Sequence, residues 1–155
     1  MSLQTGDAAP EFTLRDQHGR RRSLASLRGE RAAVLVFFPF AFSGVCTGEL
    51  RDLRDHAGRI ADAGAELLGI SCDPMFSLRV FADQDGLEFP LLSDFWPHGE
   101  VASAYGAFDG EHGCPTRSTF VVGLDGVVRW SVHNPMGEAR SVEDYLRALG
   151  ALKAG

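Results

Sequence analysis

Three cysteines in 155 residues are too sparse, and odd in number, to form a disulfide framework. Nothing about the size demands one. A domain of this length can bury roughly 68–70% of the surface its unfolded chain exposes, so a core forms without cross-links. No Cys-x-x-Cys pair is present, and His18, His56, His98, His112 and His133 show no repeated ligand spacing. His112 with Cys114 is the nearest thing to a ligand pair and reads as a loop coincidence. No metal or other cofactor is expected.

A basic excess is missing too. The net charge is −6 with a pI near 5.3, which argues against nucleic-acid and anionic-membrane partners, because a phosphate-binding face shows as an excess of Lys and Arg. The run Arg20, Arg21, Arg22 is the one local exception, and a solvated turn accounts for it. No apolar stretch approaches the ~20 residues that span a bilayer, and "MSLQTGDAAPEFTL" has neither the cationic start nor the apolar segment of a signal peptide. A cytoplasmic location is the expectation. Repeats, low-complexity tracts and Pro/Gly/Ser-rich linkers are also absent, so residues 1–155 read as a single domain.

What the chain does carry is an alternation of strand and helix patterns. "EFTLRDQHGRRRSLASL" (11–27) has short apolar segments on either side of His18-Gly19, an N-terminal hairpin. "AAVLVFFP" (32–39) is continuously apolar, as a central strand covered on both faces must be. From Thr47 on, Leu50, Leu53, Ala57, Ile60 and Ala61 recur at helical spacing until Gly64, and "ELLGIS" (66–71) is strand-like again. Strand, helix, strand in that order predicts a right-handed crossover between parallel strands.

Beyond it lie a helical stretch at 76–86, a short strand at 89–93, a short helix at 100–106 and a hairpin at 118–132 around Asp125-Gly126. The last helix, 141–152, opens on a Ser141-x-x-Asp144 capping pattern and carries Val142, Tyr145, Leu146 and Leu149 on one side. This predicts an α/β fold with a central mixed sheet flanked by helices and an N-terminal hairpin extension. The order of elements is that of thioredoxin-like domains.

The chemistry concentrates in "FFPFAFSGVCTGEL" (37–50), where the strand breaks at Pro39 and the loop delivers Cys46 to the start of a helix. A thiol reacts as thiolate, and a free pKa of about 8.5 leaves most of it protonated at neutral pH. In the first helical turn the sulfur meets unpaired N–H groups and the positive end of the helix dipole, which favour the anion. Ser43 can donate a hydroxyl bond to that thiolate or to a bound oxygen. Glu49, one turn on, opposes the charge unless a cation from elsewhere stands beside it. Taken singly, Cys46 also reads as a small buried hydrophobe, Ser43 as a turn former and Glu49 as a helix-start residue.

Pro39-x-x-x-Ser43-x-x-Cys46 resembles the active-site signature of the peroxiredoxins, Pro-x-x-x-Thr/Ser-x-x-Cys, and stands just after the central strand, where that family carries it. "GDAAPEFTLRDQHG", "FPLLSDFWPHGEVASAYG" and "RSTFVVGLDGVVR" extend the likeness over nearly the whole chain. The likeness is strongest to the one-cysteine branch typified by alkyl hydroperoxide reductase E. The resemblance implies a thiol peroxidase that reduces hydrogen peroxide and organic hydroperoxides through a sulfenic acid on Cys46. Ser43 then binds the peroxide and Arg117 stabilises the charge. Pro39 shields the sulfur, and Glu49 orients Arg117. It also implies a homodimer.

Position 51 is Arg51 and the terminal "KAG" holds no cysteine, so the resemblance stops short of the two-cysteine branches. An external thiol, whether a small molecule, a glutaredoxin-like protein or thioredoxin, is the expected reductant, with Cys72 and Cys114 as internal candidates near the site. The alternatives on the same scaffold are a sulfenic-acid-forming redox sensor and a thiol–disulfide relay, the latter lacking a second cysteine in "CTGE". The aromatic loop "DFWPHG" with Phe40 and Phe42 reads as core packing, a dimer face or a pocket for an organic peroxide.

Overall fold

The structure, a computed structural model, describes residues 3–154; Met1, Ser2 and Gly155, at the ends of the terminal segments considered above, lie outside the described residues. Strand β3 (Ala32–Phe37) is buried at every position. Its side chains alternate between two cores, as the two-residue period of a strand requires. Val34 and Val36 enter one with Phe38 just beyond the strand, and Ala33, Leu35 and Phe37 the other. This is why the stretch reads as unbroken apolar sequence rather than as an alternation.

β4 (Ala65–Ser71) pairs parallel with β3 and β5 (Leu91–Ser93) parallel with β4, while β8 (Arg117–Val122) lies antiparallel on the other side of β3 and turns back into β9 (Val128–Asn134). The N-terminal hairpin, β1 (Thr13–Arg15) and β2 (Arg21–Ser23), joins the same sheet through Arg15 opposite Ser93. The strand order is therefore β2-β1-β5-β4-β3-β8-β9. Arg21 and Arg22 stand in edge strand β2 rather than in a turn, with Arg22 3.2 Å from Asp16. Charged side chains on an edge keep it from pairing with another sheet.

α1 (Gly44–Asp62) and α4 (Val142–Ala154) cover one face of the sheet, with Leu50, Leu53, Ile60, Val142, Tyr145 and Leu149 in a shared core. Ala61, expected on the buried side of α1, is exposed, while Ile60 beside it in the same last turn is fully buried. Ser141 precedes α4 through its main-chain carbonyl, which accepts from Asp144 N at 3.2 Å, rather than through the hydroxyl cap the spacing suggested. α4 runs through Ala154, so Lys153 and Ala154 continue the helix where a tail was expected.

α2 (Met75–Asp85) ends at Gly86 in the left-handed conformation, φ 64°, that glycine adopts without strain. α3 (Glu100–Ala104) packs Val101 and Ala102 into the opposite core. A small ladder of β6 (Phe108–Asp109) and β7 (Cys114–Pro115) leads into β8. No periodic pattern announces it, since two-residue strands are too short to show one.

Candidate active site

Pro39 has no N–H to donate, and pairing beyond β3 ends one residue earlier, with Phe38 N still reaching Ile70 O at 3.0 Å. The segment then turns sharply. Phe42 adopts φ 71°, a left-handed conformation that costs a residue with a side chain roughly 1–2 kcal/mol. Its ring rests against Phe81 at 5.1 Å between centroids. Ser43 is the N-cap of α1, and the first helical bond runs from Thr47 N to Ser43 O at 2.8 Å. Cys46 is thus the third helical residue, in the turn whose N–H groups have no helical partner and where no acidic residue stands.

Because β8 runs antiparallel to β3, with Thr119 opposite Val36, its first residue comes back to the end where β3 finishes. That residue is Arg117. Its Nη2 donates to Cys46 Sγ at 3.4 Å, its Nη1 donates to Glu49 Oε1, and its Nε donates to Met136 O at 3.0 Å. Cys46, Arg117 and Glu49 are 0%, 2% and 6% exposed. These three sequence-predicted residues form one buried cluster.

A fourth member was not expected. Arg140 donates to Glu49 from its backbone N–H at 2.6 Å, from Nε at 2.9 Å and from Nη2 at 2.9 Å. Its Nη1 donates to Thr119 Oγ1 at 3.0 Å, and that hydroxyl bonds the Tyr145 hydroxyl at 2.9 Å. The backbone contact is invisible to any motif. The one sequence signal was Glu49 itself, a carboxylate beside a thiol that called for cationic company.

Two guanidiniums against one carboxylate leave a surplus positive charge in the cluster, and one of them, Arg117, donates to the sulfur. Burial works against ionised Glu49, but its bonds to Arg140 outweigh burial and hold the carboxyl below its ordinary range. Burial likewise works against charged Arg117, and the bonds to Cys46 and Glu49 outweigh it, so the guanidinium keeps its proton more firmly than usual. A buried, hydrogen-bonded cation fixed beside a nucleophilic atom is an arrangement able to stabilise negative charge on that atom and on a group leaving from it.

Ser43 and Pro39 flank this cluster without joining it. The Ser43 hydroxyl makes no hydrogen bond among the described residues, to Cys46 or to the helix it caps. Pro39 is buried, whereas Phe40 and Phe42 are 45% and 50% exposed. Cys72 and Cys114 are both buried free thiols. Burial raises Cys72 to about 12, helped by Asp94, Cys114 and Asp73, and burial raises Cys114 to about 11, helped by Asp109, Cys46 and Asp73. His112, set beside Cys114 in the sequence, bonds Asp109 Oδ2 at 2.8 Å instead.

A family model described as the AhpC/TSA family matches residues 5–131. Alkyl hydroperoxide reductase E of Mycobacterium tuberculosis is 45% identical over 152 residues, spanning 98% of this chain and 99% of that one. Among solved structures, peroxidoxin BcpB of Mycobacterium tuberculosis superposes with a TM-score of 0.83 at 34% identity, covering 98% of this chain and 97% of the other. AhpC of Enterococcus faecalis does so with 0.89 at 27% identity, covering 99% and 94%. The mixed sheet with flanking helices is the thioredoxin-like fold that these structures share.

Proposed function

The chain belongs to the AhpC/TSA family of peroxiredoxins, and from that premise we propose that it reduces hydrogen peroxide and organic hydroperoxides at Cys46, as a single domain over residues 1–155. The sulfur of Cys46 attacks the terminal oxygen of the hydroperoxide. An S–O bond forms with the sulfur's electron pair, the O–O bond breaks, and the leaving oxygen takes up a proton to depart as water or an alcohol. Cys46 is left as a sulfenic acid.

The observation that carries this reading is the Arg117 Nη2 bond to Cys46 Sγ at 3.4 Å inside a buried cluster in which arginines outnumber carboxylates. Arg117 stabilises the charge as it moves from sulfur to the leaving oxygen. Glu49 holds Arg117 in place, and Arg140 holds Glu49. Ser43, with its hydroxyl unspent, donates to the peroxide oxygen. Pro39 keeps water from the sulfur.

An external thiol closes the cycle. It condenses with the sulfenic acid to a mixed disulfide, releasing water, and a second thiol displaces Cys46 as the free thiol. A small thiol, a glutaredoxin-like protein or thioredoxin has the required chemistry. The neighbouring cysteines are poor resolving groups, since their thiols stay protonated at neutral pH. Free thiols throughout suit a reducing compartment, and we assign the cytoplasm. Exposed Phe40, Phe42, Phe95 and Trp96 suit burial against a second copy in a homodimer.

The test is steady-state peroxide consumption with a thiol reductant, followed by mass analysis of each cysteine. Continuous turnover, lost at least about 1,000-fold in Cys46→Ser, is the expected result. A single equivalent consumed without turnover identifies a sensor or relay instead.

A further inference from the structure

The segment 39–43 that carries Phe42 in its left-handed turn has, among the described residues, one hydrogen bond to a part of the chain other than the helix it enters. Ala41 N donates to Asp73 Oδ2 at 2.9 Å. Asp73 stands between β4 and α2 and is itself fixed three ways. Ser71 Oγ donates to the same Oδ2 at 2.7 Å, Asp73 N donates to Ser71 Oγ at 3.3 Å, and Ser93 Oγ donates to Asp73 O at 2.7 Å. Ser71 is fully buried and pairs in register with Ser93, so the anchor rests on two central strands.

An oxygen that takes both an N–H and an O–H is well served by a carboxylate, which is acceptor only. The left-handed residue directly follows the anchored one, and the N-cap with the free hydroxyl follows that. Where Ala41 is held therefore decides where Ser43 and the first turn of α1 begin.

We propose that Asp73 is a positioning residue for peroxide reduction: through the Ala41 N–H it fixes the strained loop so that Ser43 and Cys46 meet the peroxide in reacting geometry. This rests on the peroxidase reading above. A misplacement of about 1 Å at a reacting centre costs on the order of 100-fold. Asp73→Ala is therefore expected to slow the oxidation of Cys46 in a single turnover by about 10- to 100-fold. Reduction of the oxidised protein by thiol, which uses neither the peroxide geometry nor Ser43, is expected to change less than about threefold. Asp73→Asn keeps an oxygen for Ala41 N and Ser71 Oγ and is expected to restore oxidation to within about threefold of the wild type.

A wild-type oxidation rate in Asp73→Ala overturns the proposal, as does an Asp73→Asn rate as low as that of Asp73→Ala. Should Asp73→Ala fail to fold, Ser71→Ala frees the carboxylate without removing it. An unchanged oxidation rate in that variant overturns the proposal, and a loss of about threefold or more supports it. A wild-type protein whose Cys46 is left unoxidised by peroxide defeats the peroxidase reading itself, so the two failures are told apart by the parent protein.

Discussion

Cys46 and the pair Cys72 and Cys114 have burial and a free thiol in common, yet their charged neighbours differ. Arg117 donates to the sulfur of Cys46, whereas Asp94 and Asp73 bear on Cys72, and Asp109 and Asp73 on Cys114. Exclusion from water is therefore not what distinguishes the three cysteines. Burial raises the thiols of Cys72 and Cys114, and what sets Cys46 apart is the guanidinium that donates to its sulfur. The supply of cations to Cys46 is built from far along the chain: β8 delivers Arg117 and the approach to α4 delivers Arg140, which occupies Glu49 so that Arg117 can serve the sulfur.

The comparison breaks most completely if Arg117 is removed. Arg117→Ala leaves Cys46 beside Glu49 without an intervening cation, and loss of a charge-stabilising donor at a reacting centre costs roughly 100- to 1,000-fold. Stopped-flow reduction of hydrogen peroxide at neutral pH is expected to fall by that factor. A rate within about threefold of the wild type would show that the guanidinium is a bystander.

Arg140 sharpens the same contrast on the side of stability. Arg140→Met deletes the two side-chain bonds to Glu49 and leaves a carboxylate that is 6% exposed with only Arg117 and the main-chain N–H of residue 140 as donors. Removing one partner of a buried ion pair costs about 3–5 kcal/mol. Urea unfolding is expected to show a loss of that size. Combining it with Glu49→Gln is expected to restore part of it, because the buried carboxylate left with fewer donors is then gone. A double variant no more stable than Arg140→Met would mean that the loss lies in packing rather than in charge.

How far the sequence made this contrast legible follows from what a linear pattern can encode. The continuous apolar run of β3, the helical spacing after Cys46 and the Asp125-Gly126 turn are local rules, and the sheet follows them. Cys46, Ser43 and Pro39 are visible because they lie within eight positions on one strand-to-helix turn. Arg117 was reached only through the family resemblance, and Arg140 was not reached at all. Its contact with Glu49 joins residues 91 positions apart, and before Ser141 it looks like any other surface arginine. Asp73 is hidden for the same reason, since its meaning lies in the distant backbone N–H it receives.

A smaller effect lies on the alkaline side. Burial with carboxylate neighbours raises Cys72 from 9.0 to about 12. The folded state holds this proton while the unfolded chain releases it near pH 9. The stabilisation is therefore fully present below pH 9 and is lost as pH rises from there toward about 12. Thermal midpoints measured from pH 8 upward are expected to decline above pH 9 in the wild type and less steeply in Cys72→Ser, which carries no titrating thiol at that position. Parallel declines in the two proteins would place the alkaline sensitivity elsewhere.

The smallest expected effect is the one that completes the comparison. If Cys72 and Cys114 are held as thiols by burial and by carboxylates, neither supplies the thiolate that attacks a sulfenic acid. Cys72→Ser and Cys114→Ser are then expected to leave peroxide turnover with an external thiol within about twofold of the wild type. One equivalent of peroxide without reductant is expected to add a single oxygen to Cys46 and form no internal disulfide, read by mass spectrometry of the intact chain and its peptides. A Cys46–Cys114 disulfide would instead show that oxidation of Cys46 moves Cys114 out of the carboxylates' influence. The contrast between the two regions would then be a property of the reduced protein alone.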